Sequence, residues 1–225
     1  MTIPQILFED YYLAVLYKPA GLMVEDDGSE NSSLQQWYLK HLMEKFPTHK
    51  SFYIGFPHRL DRVTEGMMIA AKTKTALSEL NRQFAEKKIN KIYHALTEQL
   101  LPHKQGTFID YHKKNNQNRK AIIHKNNKEG FARAELNYTF VGTTIKGHYL
   151  YKIELLTGRY HQIRALLAYH HAPIVGDVLY DASTVYQQNA IGLIATNLNF
   201  IHPKSQEEMH YSIDLPQNDF WKINS

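Results

Sequence analysis

The 225-residue sequence contains no cysteine. That absence excludes disulfides, thiolate catalysis and cysteine-bound metal, and it is compatible with a reducing compartment. No apolar run approaches the roughly 20 residues that a membrane-crossing helix needs. The opening residues MTIPQILFEDYYLAVLYK show no basic leader followed by a long apolar stretch. Repeats, low-complexity tracts, heptads and a Gly/Ser/Pro-rich linker are also missing, as is any nucleotide or flavin motif. His58, His161, His170 and His171 form no helical His-x-x-x-His pair with an acid nearby, and adjacent histidines seldom face one ion. These absences predict a cytoplasmic monomer with no membrane association, no obligate protein partner, no metal and no cofactor.

What is present is a globular composition, 43% hydrophobic, in a chain long enough for one large domain or two packed lobes. The net charge of +4 and a pI near 9.0 point to an anionic partner. The distribution of charge is more informative than its size. Residues 112 to 128, HKKNNQNRKAIIHKNNK, hold six Lys or Arg and no acid around a short strand-like AII. A hairpin carrying Lys113, Lys114, Arg119 and Lys120 would lay cations along a phosphate backbone, with affinity that weakens as salt rises. The plainer alternative is a solvated hairpin whose charge keeps the chain soluble.

Leu13 to Tyr17 reads as a strand ended by the Pro19–Gly21 turn, where proline removes a backbone donor and glycine accepts positive φ. Ser33 to Phe46 reads as a helix: Leu34, Trp37, Tyr38, Leu42 and Phe46 return on one face, Ser32 or Ser33 caps the start and Pro47 stops it. A second helix is expected from Thr73 to about Lys87, burying Ala76, Leu77, Leu80 and Phe84. RAELNYTFVG and GHYLYKIELLTG read as an antiparallel pair around TTIKG, and IGLIATNLNFI as a further strand. Strands joined mostly by hairpins, with helices attached at separate points, predict an α+β fold on a mixed, largely antiparallel sheet with flanking helices.

The segment His58 to Gly66, HRLDRVTEG, sets Arg59 and Asp61 two positions apart just before GMMIAA, which reads as a buried strand. Arginine offers a planar fork for phosphate, and its charge holds a neighbouring carboxylate ionised. Such a pair suits a site that binds a polyanion and presents an acid or nucleophile. An ordinary ion pair at a strand entrance is the alternative.

HRLDRVTEG resembles the HRLDxxTSG signature of the RluA-type pseudouridine synthases, which convert uridine to pseudouridine in structured RNA. Three more blocks resemble that family in the same order. They are FEDYYLAVLYKPAGLMV with Lys18, Pro19, Ala20 and Gly21, KIYHALTE with Lys91 and Tyr93, and LLTGRYHQIRALLAYHHAPIVGDVLYD over residues 155 to 181. The resemblance implies one catalytic domain over 1–225, made of two subdomains with a central cleft and no separate N-terminal RNA-binding module. It implies that RNA, tRNA or large-subunit rRNA, is the substrate.

By the same resemblance Asp61 is the catalytic carboxylate, which attacks C1′, attacks the pyrimidine ring or abstracts the C2′ proton. Tyr93 packs on the flipped uracil or serves as a base at C5, and Arg164 holds Asp61 ionised in a buried ion pair. Arg59 fills the space the flipped base leaves. Lys18, Lys91, Arg159, His161 and Gln162 contact phosphate or brace the cleft. Glu65 stands where serine is common in the family, and Tyr160 where threonine is common. A catalytically silent RNA-binding protein is the alternative, although binding alone needs only basic and aromatic residues. An Asp-dependent hydrolase would need a second, paired acid.

Overall fold

The structure is a computed structural model that describes residues 3–26, 28 and 33–224. The chain divides into two units, Met1–Ile89 with Asn197–Ile213, and Asn90–Thr196 with Asp214–Ser225.

In the first unit β1 (Gln5–Glu9) and β2 (Leu13–Lys18) form an antiparallel hairpin. The Asp10 carboxylate accepts the N–H groups of Tyr12 and Leu13 at its turn, at 2.7 and 2.8 Å. α1 (Leu34–Lys45) follows, with Ser33 and Gln36 reciprocally bonded in a capping box. β3 (Glu65–Ala71) then pairs antiparallel with β2, Lys18 opposite Gly66 and Leu13 opposite Ala71. α2 (Lys74–Ala85) starts at the Thr73 cap and lays Ala76 and Leu80 on Leu13, Val15, Met67, Ile69 and Ala71, alternate residues of β2 and β3. Glu9 ties these pieces together: Lys45, Lys72 and Tyr38 all donate to its carboxylate, at 2.6, 2.9 and 3.1 Å. Burial alone would raise its pKa, but these donors hold it down at about 2.

The second unit is mostly antiparallel sheet: β4 (Asn90–Thr97), β5 (Gln105–Asn115), β6 (Lys120–His124), β7 (Ala132–Thr143) and β8 (Tyr149–Leu155). Their order is β4-β8-β7-β5-β6, with the start of β9 (Leu193–Ile201) beside β4. Leu136, Tyr138, Leu150, Tyr151 and Ile153 fill its core, and the Tyr151 hydroxyl accepts the N–H of Leu101 at 2.8 Å. α3 (Gln162–Tyr169) lies on β5 and β6, with Ala165 against Ala121. The rest of β9, Asn197 onward, belongs to the first unit, where it neighbours β3 and pairs with β10 (Glu208–Ser212).

The α+β class and the largely antiparallel sheet agree with the expectation from sequence. Both expected helices form, each ending a residue or two inside the anticipated limits. Ser33 is the α1 cap, while Ser32 lies outside the described residues. β10 was not anticipated, although Met209 and Tyr211 alternate with polar Glu208, His210 and Ser212 and pack on the first unit's core; the strand is short, and its residues are exposed or partly buried. Gln83 was also missed on α2. Its buried amide donates to the Ile201 carbonyl at 2.8 Å and accepts the Ile201 N–H at 3.0 Å, standing in for a strand partner.

Gln83→Leu leaves both backbone groups of Ile201 without these partners. The expected loss is about 2 kcal/mol, roughly 4–8 °C in Tm for a chain of this size. Calorimetry showing an unchanged midpoint would remove Gln83 from the account of how β9 is held.

Candidate active site

Site residues from the sequence fall into two groups, one in each unit. In the first unit the loop between residues 58 and 64 is stitched to the Pro19–Gly21 turn. Gly21, at φ 86°, donates its N–H to the Arg62 carbonyl at 2.8 Å, and the Arg62 Nε returns a bond to the Gly21 carbonyl at 3.0 Å. Lys18 fastens the same junction from inside. It is completely buried, and its ammonium donates to the carbonyls of Pro19, Leu22 and Arg62 at 3.0, 2.8 and 3.3 Å. Burial pulls its pKa down to about 7, while the negative charges of Asp61 and Glu65 pull the other way. Lys18 therefore braces the loop that carries Asp61, and its three donors are directed inward.

Asp61 itself is partly buried, and its carbonyl accepts the Thr64 N–H at 3.0 Å, which turns the loop into β3. Glu65, the departure from serine, accepts the Tyr17 hydroxyl at 2.6 Å across the β2–β3 pair. Arg59 points outward, its side chain 70% exposed and 3.5 Å from Glu25 in a surface ion pair of little energetic weight. His58 accepts the Ile69 N–H on Nε2 at 3.1 Å and packs near Phe84, a structural role.

In the second unit Tyr93 lies in β4 opposite Ile153 and is 5% exposed. Lys91, two residues earlier, has a pKa lowered to about 8 by burial. Its Nζ lies near Gly158, 3.7 Å from where a β-carbon there would be, an ordinary van der Waals distance. Gln162 is buried: Oε1 accepts from the Thr157 hydroxyl at 2.8 Å and the Arg159 N–H at 3.0 Å, and Nε2 donates to the Glu135 carbonyl at 3.0 Å. Like Lys18 it is a brace. Arg159 is exposed, with Nε donating to the Arg133 carbonyl at 3.2 Å.

Arg164, 4% exposed, makes a bidentate pair with Asp177 at 2.7 and 2.8 Å, and Asp177 is 1% exposed. Tyr180 lies with its ring 5.2 Å from the guanidinium carbon and its hydroxyl accepting the Ala121 N–H at 2.7 Å, which docks β6 beside α3. Desolvating two charges is expensive, so the pair adds little net stability while it fixes the orientation of the Arg164 guanidinium. Asp177 and Tyr180 were not assigned roles from sequence, although both stand in the PIVGDVLYD stretch. The signal available was an aspartate after Gly176, whose φ of 83° turns the chain there.

The basic segment forms the expected hairpin, β5 paired with β6 from Tyr111 opposite His124 to Asn115 opposite Lys120. Lys113, Lys114 and Arg119 are exposed and Lys120 partly so. Aromatic rings hold several of these cations: Lys114 lies 4.8 Å from Tyr160, Lys113 5.7 Å from Phe131 and Lys120 5.7 Å from Tyr180. His161 immediately precedes α3 in a left-handed conformation, with Nδ1 3.2 Å from the Tyr180 hydroxyl. His170 pairs with buried Asp110 at 2.7 Å and stacks on Phe108. Among the described residues no group of three or more His, Asp or Glu side chains is placed to share a metal ion.

A family model described as RNA pseudouridylate synthase matches residues 12–169. The chain is 32% identical over 217 residues to the ribosomal large subunit pseudouridine synthase C of Buchnera aphidicola subsp. Schizaphis graminum, covering 91% of this chain and 65% of that protein. It is 30% identical over 226 residues to the ribosomal large subunit pseudouridine synthase D of Zymomonas mobilis, covering 95% and 70%. It thus spans about two thirds of the length of these relatives. Among solved structures, human RNA pseudouridylate synthase domain containing 4 has a similar fold, with a TM-score of 0.75, 22% identity, and 94% of this chain and 88% of that chain covered.

The buried Lys18 gives a signed pH effect. Its folded pKa of about 7 lies below its ordinary value of 10.5, so between these limits the unfolded chain holds a proton that the folded chain has shed. Stability from this group therefore rises with pH across that window. Urea unfolding from pH 6 to 10 is expected to show this rise in the wild type and a smaller one in Lys18→Met, where buried Lys91 still contributes above about pH 8. Parallel curves for the two proteins would refute the assignment.

Proposed function

Because the chain belongs to the RNA pseudouridylate synthase family, we propose that it is an RNA uridine isomerase acting on structured RNA, with large-subunit rRNA the first substrate to test and tRNA the second. The C1′–N1 bond of the target uridine breaks, the base rotates and C1′ rejoins at C5. The proton leaves C5 and N1 gains one, so the reaction is a redox-neutral isomerisation. The observation that carries this reading is Asp61 on a loop clamped by Lys18, within the stretch that matches the family.

Asp61 is the carboxylate common to the three routes open to it: attack on C1′, attack on the ring, or removal of the C2′ proton. Tyr93 packs against the uracil, and Arg164 favours the ionised form of the catalytic carboxylate. Exposed Arg59 enters the stack in place of the extruded base, offsetting part of the few kcal/mol that flipping costs. Lys113, Lys114, Arg119 and Lys120 hold the phosphate backbone, a role that exposed cations on a hairpin suit. Lys91 and Arg159 support the same contact, and the buried Lys18 and Gln162 serve it indirectly by bracing. The protein acts in the cytoplasm as a monomer and needs no cofactor.

The test is tritium release from [5-³H]uridine-labelled large-subunit rRNA and tRNA transcripts. Wild type is expected to release tritium from one class, and Asp61→Asn to fall by roughly 10²–10⁴-fold. Binding of both RNAs without release by the wild type would overturn the reading in favour of an RNA-binding protein without turnover.

A further inference from the structure

Two residues of the second unit that are not glycine hold left-handed backbone angles at the two ends of one side chain. Arg119, at the turn of the β5–β6 hairpin, has φ 54°, and His161, just before α3, has φ 51°. Residues with a β-carbon are strained there and persist in that region only where surrounding contacts fix them. Tyr160 supplies such contacts to both. Its hydroxyl donates to the Arg119 carbonyl at 3.1 Å, and its ring stacks on His161 with centroids 3.8 Å apart and planes within 18°. Its own carbonyl accepts from Nε2 of His112 in β5 at 2.7 Å, and the Lys114 ammonium lies 4.8 Å from the ring centroid.

The side chain thus reaches from the loop before α3 to the hairpin turn. Threonine, common at this place in the family, has its hydroxyl on the β-carbon and no ring, and makes neither the long reach nor the stack. We propose that Tyr160 is a positioning residue for RNA, fixing the hairpin turn so that Lys114 and Arg119 meet the phosphate backbone already ordered. The inference rests on the proposed action on RNA. Side chains ordered before binding lose less freedom in the complex, so loss of the strut weakens binding more than turnover.

The experiment compares wild type, Tyr160→Phe and Tyr160→Thr by filter binding of the rRNA transcript across a salt series, by steady-state tritium release, and by hydrogen exchange of the free protein. For Tyr160→Thr, Kd and KM rise roughly tenfold, and the slope of log K against log salt falls by about 2 as two phosphate contacts are lost. Amides of residues 116–121 exchange faster, while kcat stays within about twofold of wild type. Tyr160→Phe keeps the stack, lacks the carbonyl bond, and falls between. Wild-type affinity and salt slope in Tyr160→Thr would overturn the inference, as would kcat falling together with the unfolding midpoint. Should Tyr160→Thr not fold, unchanged exchange at the turn of Tyr160→Phe overturns it instead. A wild type that binds RNA but releases no tritium refutes only the isomerase reading, because the binding and exchange results still judge the strut.

Discussion

A positive charge removed from water must be given compensating partners, and the first unit is arranged around doing so for Lys18. Its ammonium is completely buried at the end of β2, and three carbonyls from two separate stretches, Pro19–Leu22 and Arg62, converge on it. Neither stretch is regular secondary structure, so neither has a ladder to fix it. The shared ammonium and the reciprocal bonds between Gly21 and Arg62 supply that rigidity instead. Asp61 is therefore displayed on a loop fastened by a neighbouring buried amine, whose protonated form the carboxylates of Asp61 and Glu65 favour.

The second unit follows the same division between inward braces and outward contacts. Gln162 and the Arg164–Asp177 pair are buried and spend their hydrogen bonds on the protein. Lys113, Lys114 and Arg119 are exposed, yet Lys113 and Lys114 rest against aromatic rings, which restricts their wandering without removing them from water. Charge alone thus does not tell inward-facing side chains from solvent-facing ones, and burial does.

That distinction explains how much was legible in the sequence. The helices could be read because Leu34, Tyr38 and Leu42, and likewise Ala76 and Leu80, recur at helical spacing beside Ser33 and Thr73 caps. The four site blocks were visible as local strings of residues. Buried polar partnerships were not: Gln83 pairs with Ile201 across 118 residues, and Tyr17 with Glu65 across 48. No periodicity announces such pairs, since each depends on which backbone groups the tertiary fold leaves open. The inward direction of Lys18 was hidden for the same reason, as a lysine beside a turn reads equally as a surface cation.

The division of the chain also bears on its biosynthesis. The first unit is drawn from residues on both sides of the second, and the partner of β3 on its far edge, β9, lies more than a hundred residues downstream. Because a ribosome delivers the chain from its N-terminus, β3 emerges long before β9, its neighbour in the sheet. During that interval β3 presents an open, strongly apolar edge, EGMMIAA, of the kind that pairs with other chains. Completion of the first unit therefore waits on β9, after β4 to β8 of the second unit have been made.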